Sequence, residues 1–442
     1  MSKLTKKLKA EYPQHLEQLQ QRTKQVLLRE NIEGVVIHSG QELKAFLDDN
    51  TYPFRVNPHF KHWLPLIDAP NCWLIINGED KPILIYYQPI DFWHKMTPLV
   101  ESYWHELFNI KILKQASDVD KLLPYDKKGF AYIGSHIEVA KALGFDMINP
   151  EPLLNYLHYH RAYKTPYEQE CLRQSNHLAV MAHKAAKAAF LNGDTEFEIQ
   201  NTYLNAIGYT ASETPYSNII ALNKNCSILH YMNLDKSAPQ THQSFLIDAG
   251  ANFNGYAADI TRTYSFKRDK FAELIARMDQ LMLKAVKGLK PGLSYVDLHI
   301  ATYQEIAQVL VEFDFINVSV DTAISSGIVS TFFPHGLGHH LGLQVHDVGG
   351  FMADERGTHI NAPEAYPFLR TSRIIEAGQV FTIEPGLYFI DSLLHTLKES
   401  ANSDQVNWQK VDEMRDFGGI RIEDNIIVHQ SYNENMTRDL GL

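Results

Sequence analysis

Cysteine is scarce in this sequence. Three cysteines occur among 442 residues, at the widely spaced positions 72, 171 and 226. An odd number at this spacing does not supply a disulfide framework or the cysteine pairs of a thiolate zinc site. We therefore expect reduced thiols and a cytoplasmic protein.

Positive charge and long apolar runs are also in short supply. Lysine and arginine number 41 against 52 aspartate and glutamate residues, for a formal net charge of -11. Binding to a nucleic-acid backbone needs a basic surplus that releases counterions, so we expect no nucleic-acid partner. No segment approaches the roughly 20 apolar residues of a membrane span, and the lysine-containing start lacks the apolar stretch of a signal peptide. We expect no membrane partner.

Strand and helix patterns alternate over the first third of the chain. With 45% hydrophobic residues the chain can bury substantial cores, and its length indicates two or three domains. The patterns predict helices over 14–29 and 138–143, and strands over 34–38, 72–76, 82–87 and 129–133. Together they indicate an α/β domain of ordinary size.

A domain boundary is predicted near Thr165. This hydroxyl residue precedes Pro166 and stands three positions before Glu168, which is typical of a capped helix start. We expect a long helix from there to about residue 191. Two later segments, 191–199 and 290–298, share a glycine, a hydroxyl cap and a following acid. They indicate either duplicated halves or two independent helix connections with the same capping chemistry.

Segment 245–264 is typical of a β-hairpin, which would close the first half. If its loop is even-numbered and centred between Phe253 and Asn254, then Asp248 and Asp259 face each other. Carboxylates so placed lie about 5 Å apart and repel unless a cation lies between them. The alternative is that one aspartate is exposed and the other caps a turn.

Segment 333–347 contains four histidines among glycines, namely His335, His339, His340 and His346. Gly336 and Gly338 disfavour a regular helix and predict a backbone that bends closely around something. The glycine spacing does not match a dinucleotide-binding loop, and no suitable strand precedes it. The pattern favours a metal or acid/base site over a single buried histidine.

Two predicted strands of the second half, 379–383 and 420–427, carry further acids. The first ends at Glu384 before Pro-Gly, and period two places Arg421 and Glu423 on one face of the second. With the two aspartates, these glutamates supply four negative charges that two divalent cations would neutralise. Oxygen-rich ligation with one imidazole favours Mn²⁺, Mg²⁺ or Fe²⁺, and we predict two manganese ions. The alternative is that both segments are edge strands whose charged side chains are exposed to water.

These motifs resemble those of the pita-bread metallopeptidases over nearly the whole chain, and within that family the bacterial Xaa-Pro dipeptidases (prolidases) and organophosphorus acid anhydrolases. The resemblance implies an α/β (α+β) architecture with a small N-terminal α/β domain over 1–160 and a catalytic domain of two pseudo-twofold halves over 161–442. It also implies a homodimer. The metal ligands that it implies are Asp248, Asp259, His339, Glu384 and Glu423, with Asp259 and Glu423 bridging.

The resemblance implies that a hydroxide held between two divalent cations hydrolyses Xaa-Pro dipeptides. Glu384 would take and return the proton, and His335 or His346 would stabilise the oxyanion. His230 matches a further histidine of the family's site, whereas His340 is assigned to packing.

Substrate selection would involve other residues. Arg370 or Arg421 would hold the free carboxylate of the dipeptide, although a solvated Arg370 is the competing interpretation. Asp49 would cap the neighbouring subunit's pocket near the substrate amine, or else lie in a solvated turn.

Three kinds of function remain open at this point: the dipeptidase, an enzyme with the same site but a different reaction, and a binding scaffold. Besides the dipeptidase, the same site fits an aminopeptidase P that acts on longer peptides, or an enzyme whose hydroxide attacks phosphorus in organophosphorus esters and fluorides. A metal-free binding scaffold of the same fold is the third, and the presence of all five ligand types argues against it.

Overall fold

Two units make up the fold of this chain, whose computed structural model describes residues 2–92, 99 and 101–442. The first unit comprises Met1–Cys171 and Asp354–Thr358, and the second comprises Leu172–Ala353 and His359–Leu442. None of the helices among the described residues combines the length and the apolar character needed to cross a membrane.

The first unit contains a six-stranded mixed sheet with the order β4-β3-β2-β1-β5-β6. Its strands are β1 (Gly34–His38), β2 (Trp73–Ile76), β3 (Ile83–Tyr87), β4 (Asn109–Leu113), β5 (Phe130–Ile133) and β6 (Met147–Ile148). Its helices are α1 (Lys3–Glu30), α2 (Pro58–Trp63), α3 (Ile137–Ala142) and α4 (Glu151–Arg161). Side chains from the central strands, including Val36, Ile85 and Tyr132, form one buried cluster. The predicted N-terminal α/β domain is confirmed.

Helix α1 is longer than the predicted segment 14–29. It begins at Lys3, with the Ser2 hydroxyl accepting a hydrogen bond from the Thr5 amide, and it contains Pro13. The polar first turns lack the apolar periodicity on which the prediction relied, although Leu8 and Tyr12 are buried. The four predicted strands lie within one residue of β1, β2, β3 and β5, while β4 and β6 escaped prediction because they are short or largely exposed.

Helix α5 (Pro166–Asn192) begins where the capping pattern predicts. The Thr165 amide donates to Oε2 of Glu168 at 2.8 Å, and the Glu168 amide donates to the Thr165 hydroxyl at 3.3 Å. These two bonds form the expected capping box.

The second unit has two successive halves. The first half contains α5 and α6 (Glu196–Ile207). Its strands are β7 (Ile219–Leu222), β8 (Ser244–Ala249), β9 (Asn252–Phe253), β10 (Tyr256–Ala257) and β11 (Ile260–Ser265). Strands β7, β8 and β11 form a sheet of order β11-β8-β7, and the short strands β9 and β10 extend the hairpin between β8 and β11. Segment 191–199 is the connection between α5 and α6, which Thr195 and Glu198 cap with a second capping box.

The second half likewise begins with two long helices, which two short helices follow, and its strands form one three-stranded and one two-stranded sheet. Its elements are α7 (Lys270–Gly288), α8 (Tyr295–Glu312), α9 (Val320–Ser325), α10 (Ile328–Phe332), β12 (Val380–Ile383), β13 (Gly386–Tyr388), α11 (Asp391–Lys398), α12 (Trp408–Met414), β14 (Gly419–Arg421), β15 (Asp424–Val428) and β16 (Asn433–Asn435). Segment 290–298 again connects the first two helices, and Ser294 caps α8. Duplicated halves therefore describe the unit, as the pseudo-twofold fold requires.

The hairpin of the first half has a different register from the predicted one. Asp248 pairs with Thr261, and Phe253 pairs with Tyr256, so the turn is centred between Asn254 and Gly255. Both turn residues have positive φ, 52° and 86° respectively, which is the geometry of the two-residue type I′ turn. The prediction that Asp248 and Asp259 are directly opposed is wrong, because it placed the turn centre one residue too early.

Candidate metal centre

The two aspartates approach each other diagonally across the β8–β11 hairpin. The hydroxyl of Tyr216 lies 2.8 Å from Oδ1 of Asp248 and 2.5 Å from Oδ1 of Asp259. The backbone amide of Asp259 donates to Oδ1 of Asn425 at 2.9 Å, and the Asn425 amide group donates back to the carbonyl of Asp259. Asn425 belongs to β15, so it ties the aspartate of the first half to the sheet of the second.

His339 lies in an irregular segment, as the glycines predict. Its amide donates to Oγ1 of Thr382 at 3.1 Å, and the Thr382 amide donates to the His339 carbonyl at 2.9 Å. A Cβ at Gly338 would lie 2.1 Å from the Thr382 carbonyl oxygen, so glycine permits this close approach. The segment is thereby held against β12, which brings His339 beside Glu384.

The two glutamates come from the second half. Glu384 follows β12, and its amide donates to the Leu337 carbonyl at 2.8 Å. Glu423 lies between β14 and β15, so the predicted continuous strand 420–427 is interrupted there. A single bridge pairs Glu423 with Thr261, whose hydroxyl donates to Oε2 of Glu423 at 2.8 Å. Nε of Arg421 reaches the same hydroxyl at 3.3 Å, so Arg421 and Glu423 do point to one side.

Three of the five predicted ligands have potential ligand atoms within 4.8 Å of one another: Asp259, His339 and Glu423. Glu384 adjoins this group, with Oε1 3.8 Å from Nε2 of His339. Asp248 adjoins it through the hydroxyl of Tyr216, which it shares with Asp259. The structure thus brings all five predicted ligands into one neighbourhood.

The donor set fits divalent cations. Nδ1 of His339 lies 3.0 Å from the carbonyl of His340, an acceptor, so in the neutral ring Nδ1 carries the proton and Nε2 presents a lone pair. That Nε2 lies 3.4 Å from Oδ2 of Asp259. A lone pair and carboxylate oxygens converging at this separation are what a hard or borderline dication binds.

Burial makes these acids costly to ionise together. It raises the pKa of Glu384 to about 7 and those of Asp248 and Glu423 above their ordinary values, with further contributions from the neighbouring carboxylates. Burial acts in the same direction on Asp259, but the hydrogen bond and charge of His339 outweigh it and lower the pKa. Added positive charge would therefore stabilise the fully ionised set.

Arg421 supplies one positive charge inside the group. Its Nη2 lies 2.6 Å from Oδ2 of Asp248, and its Nη1 donates to the hydroxyl of Tyr388 at 3.0 Å. That hydroxyl lies 2.8 Å from Nε2 of His335, whose Nδ1 lies 2.8 Å from the Gly336 carbonyl. Since the carbonyl only accepts, Nδ1 of neutral His335 donates and Nε2 accepts from Tyr388. Arg421, Tyr388 and His335 form a directed chain.

Four of the remaining predicted residues are exposed, whereas His340 is buried. His346 is exposed, with its ring centroid 4.3 Å from that of His339 in an edge-on arrangement. His230 and Arg370 are exposed residues of the second unit, and Asp49 is an exposed residue of the first. The ring of His340 packs against Phe381 at 4.5 Å.

Sequence reasoning missed Tyr216 and Thr261, which contact predicted ligands, and Tyr388, which contacts Arg421 and His335. Thr261 carried a signal, since it lies two positions after Asp259 on the same hairpin. Tyr216 precedes β7 in a stretch of hydroxyl residues with one proline, and Tyr388 ends β13. Neither has a spacing that predicts its contacts in the site. Their positions follow from how the two halves of the second unit pack.

Known proteins match this chain over its whole length. Residues 10–159 match the model of the Xaa-Pro dipeptidase N-terminal domain, and residues 170–430 match that of metallopeptidase family M24. The chain is 78% identical over 442 residues to the Xaa-Pro dipeptidase of Colwellia psychrerythraea, with 100% of each covered, and 60% identical over 437 residues to that of Pseudoalteromonas haloplanktis, with 99% of each covered. The low-pH form of Escherichia coli aminopeptidase P is similar in structure, with a TM-score of 0.73 at 25% identity over 96% of this chain and 95% of that one.

Proposed function

Since the chain belongs to metallopeptidase family M24 and carries the Xaa-Pro dipeptidase N-terminal domain, we propose that it hydrolyses Xaa-Pro dipeptides with two divalent metal ions, manganese first among them. The observation that carries the proposal is the convergence of Asp259, His339 and Glu423, with Glu384 and Asp248 adjoining. Relatives at 56–78% identity along essentially their full length bear the name Xaa-Pro dipeptidase.

The five proposed metal ligands come from both halves of the second unit. Asp248 and Asp259 come from the β8–β11 hairpin, and Glu384 and Glu423 flank strands of the second sheet. Bound divalent ions would polarise the scissile carbonyl and make water nucleophilic near neutral pH. Asp259 and Glu423, the two most enclosed of the four acids, suit the bridging positions.

We choose Glu384 as the residue that takes a proton from water, at its Oε1, and passes it to the leaving nitrogen. Its side chain retains 18% of its accessible surface, against 8% for Asp259 and 14% for Asp248. A group that takes a proton from water and passes it to a leaving nitrogen needs access to both. Asp248, held by Arg421 at 2.6 Å, is the less available of the two more exposed acids.

His346 suits the oxyanion better than His335. Both ring nitrogens of His335 have partners, the Gly336 carbonyl and the Tyr388 hydroxyl, so it has no N–H to direct at substrate. His346 is exposed beside His339 and can turn an N–H toward a developing negative charge. His335 instead orients Tyr388.

For the substrate carboxylate we choose Arg370 over Arg421. Arg421 is 5% exposed and contacts Asp248, Tyr388 and Thr261, whereas Arg370 is exposed in the same unit. A guanidinium on a carboxylate gives a bidentate pair. His230 is our choice for a second substrate-binding residue, and an enzyme that holds the carboxylate in this way would require a free C-terminus.

A dipeptide panel with and without added Mn²⁺ tests the function. We expect Mn²⁺-dependent cleavage of Xaa-Pro dipeptides, and much slower cleavage of Xaa-Pro-amides and of longer peptides. Comparable rates on amides or longer peptides would identify an aminopeptidase P, and activity in protein shown to be metal-free by mass spectrometry would overturn the metallohydrolase. A slow reaction with a fluorophosphonate would add organophosphorus hydrolysis as a side activity, because a tetrahedral phosphoryl centre resembles the peptide transition state.

We also propose a cytoplasmic homodimer. The hairpin tip of the first unit exposes Phe46 and Leu47 to 88% and 90%, which is costly in water unless a second copy covers them. Asp49 follows on this tip and would reach the partner's substrate amine. Asp48 provides a matched control, because its carboxylate accepts hydrogen bonds from Asn50 within the turn.

Light scattering and kinetics test this arrangement. We expect a dimer that Phe46→Ser weakens, and an increase in KM for Asp49→Ala that Asp48→Ala does not share. A monomer of full activity would refute it. The three cysteines are all buried and form no disulfide, in keeping with a reducing compartment.

A further inference from the structure

A buried glutamate that the proposed reaction does not use lies at the start of α6. Glu196 is the first residue of that helix and is 0% exposed, whereas glutamate is almost never fully buried unless it is paired. A buried carboxylate needs hydrogen bonds to offset the loss of its hydration. The partners of Glu196 therefore show what it stabilises.

Four donors reach this carboxylate. Oε1 of Glu196 accepts from the Leu222 amide at 2.8 Å and from Nδ2 of Asn225 at 2.9 Å. Oε2 accepts from the Tyr231 hydroxyl at 2.7 Å and from the Asp235 amide at 2.9 Å. These donors belong to the end of β7 and to the connection that follows it, so one side chain fixes this segment at four points.

The connection between β7 and β8 spans residues 223–243. It begins with a 3-10 helix, Asn223–Ser227, and continues in turns and irregular backbone. Connections longer than about 12–15 residues with little secondary structure are usually functional or disordered. This one is held to α6 a second time, because the Phe197 amide donates to the Asp235 carbonyl at 3.2 Å.

The same connection carries His230 to the candidate metal centre. His230 is exposed and directly precedes Tyr231, whose hydroxyl is bonded to Glu196. Burial is the main cause of the lowered pKa of His335, about 3, and of His346, about 4, and the charge of His230 contributes at both. A Coulomb interaction weakens with distance, so His230 lies near both rings.

We propose that Glu196 is a positioning residue, which holds the segment 222–235 so that His230 lies where the substrate binds. The inference rests on the proposed dipeptidase function, in which His230 is a substrate-binding residue. A carboxylate only accepts hydrogen bonds and therefore suits four donors. Glutamine at position 196 would offer one oxygen and turn its own N–H groups toward two of the donors, which would lose their acceptor.

Steady-state kinetics of the full-length, metal-loaded protein on an Xaa-Pro dipeptide test this role. Glu196→Gln should raise KM about tenfold, the equivalent of one charge-assisted hydrogen bond. It should leave kcat within about twofold, because an interaction made equally with substrate and transition state affects KM alone. Metal content should stay at the wild-type level.

Glu198→Gln is the matched control in the same helical turn. Oε2 of Glu198 accepts from the Thr195 amide at 2.9 Å, and glutamine also completes a capping box. Its KM should equal that of the wild type. Tyr231→Phe is a second test variant, which keeps the carboxylate, removes one of its four donors and should raise KM by a smaller factor than Glu196→Gln.

A double variant distinguishes positioning from a purely structural role. If Glu196 acts through His230, adding Glu196→Gln to His230→Ala should change KM by less than about twofold. Increases in KM that multiply in the double variant would overturn the proposal. So would a wild-type KM in Glu196→Gln.

Hydrogen exchange provides a measurement that needs no turnover. The Asp235 amide should exchange at least about tenfold faster in Glu196→Gln, because the bond that protects it is lost, while amides inside α7 keep their wild-type rates. Unchanged exchange at Asp235 would overturn the proposal. Absence of Xaa-Pro cleavage by the wild type would overturn the proposed function and with it the role of His230, whereas failure of the positioning role alone would leave the wild type active.

Discussion

Nη2 of Arg421 lies 2.6 Å from Oδ2 of Asp248, and the two side chains retain only 6% and 14% of their accessible surface. This pair places a permanent positive charge within a group of four acids. Desolvation raises the pKa values of Asp248, Glu384 and Glu423, and the charge of Arg421 offsets only part of this effect at each of the three. Arg421 therefore organises the site before any metal binds.

Arg421→Met should destabilise the metal-free protein strongly. Removal of one partner of a buried ion pair leaves the other charge uncompensated, at a cost of about 3–5 kcal/mol. Urea unfolding of chelator-treated protein measures this cost, which added Mn²⁺ should reduce. Arg415→Met is the control, since Arg415 pairs with Asp391 at the surface and should cost no more than about 1 kcal/mol. Equal losses in both variants would contradict the role of Arg421.

Asp259→Asn should remove both metal and activity. Loss of an outer-shell partner alone costs about 10–100-fold, so loss of a bridging ligand should reduce kcat by more than about 100-fold. Metal content by mass spectrometry and turnover of an Xaa-Pro dipeptide are the measurements. Asp297→Asn, at an exposed position of α8, should leave both unchanged. An Asp259→Asn protein that turns over normally with its full metal content would refute the ligand assignment.

Metal removal should lower the melting temperature because the carboxylates then repel one another. Binding to the native state alone stabilises by about 2.7 kcal/mol at a free ligand concentration of 100 Kd. Calorimetry at increasing Mn²⁺ should show a rising Tm in the wild type and a much smaller rise in Asp259→Asn. A Tm that is independent of Mn²⁺ in the wild type would count against a metal site.

Acid should destabilise the first unit through a buried cluster of His15, His62 and Glu168. Nδ1 of His15 lies 2.8 Å from the Thr165 hydroxyl, and Nε2 of His62 lies 3.2 Å from Glu168. Burial lowers the pKa of His15 to about 4 and also lowers that of His62. Burial opposes ionisation of Glu168, but His62 and His15 outweigh it and depress the pKa of the carboxyl group.

The sign of the effect follows from proton uptake. The unfolded histidines bind protons near pH 6.5 and the folded ones do not, so stability falls as pH drops from about 6.5 to about 4, by up to about 1.4 kcal/mol per pH unit for each group. Glu168 adds to the loss below its unfolded pKa, since its folded pKa is depressed. Urea unfolding at pH 7.5, 6 and 5 should show this slope, and His15→Gln should flatten it. A slope that is the same in His15→Gln would exclude His15 as a contributor.

Gly255→Ala should destabilise the hairpin that carries both aspartates. Gly255 has φ +86°, where a Cβ costs about 1–2 kcal/mol. Asn254→Gly, at the preceding turn position with φ +52°, tolerates the same region and should be nearly neutral. Denaturant midpoints of the two variants measure the difference. If alanine proves as stable as glycine at 255, the type I′ turn is not the one present in solution.

The hairpin also shows how far sequence alone reaches. Its existence and its two aspartates follow from alternation around a turn-rich centre, but the turn centre does not, because Asn252, Asn254 and Gly255 all favour turns. The Asn-Gly pair was the better indicator, since a type I′ turn needs positive φ at both central residues. A shift of one residue in the centre changed the partner of Asp248 from Asp259 to Thr261.

Tertiary contacts explain what the sequence could not predict at the site. The four acids and the histidine-rich segment were identifiable because acids at strand ends and histidines in a glycine bend have distinctive spacing, and the family resemblance then singled out His339 as the predicted ligand. Tyr216 and Tyr388 carry no such spacing. The Tyr216 hydroxyl reaches the two aspartates, and the Tyr388 hydroxyl reaches Arg421 and His335, only after the two halves pack. In the first unit, β4 was missed because its exposed residues alternate with few buried ones.

The bridge between Thr261 and Glu423 joins the two sheets at the ligands themselves. A polypeptide cut in the exposed connection around residue 268 would separate Asp248 and Asp259 from His339, Glu384 and Glu423. Neither fragment alone would hold a complete set of donors. Association of the two fragments and binding of Mn²⁺ should therefore promote each other, because the ion would be held by ligands from both fragments. Each fragment alone would be inactive.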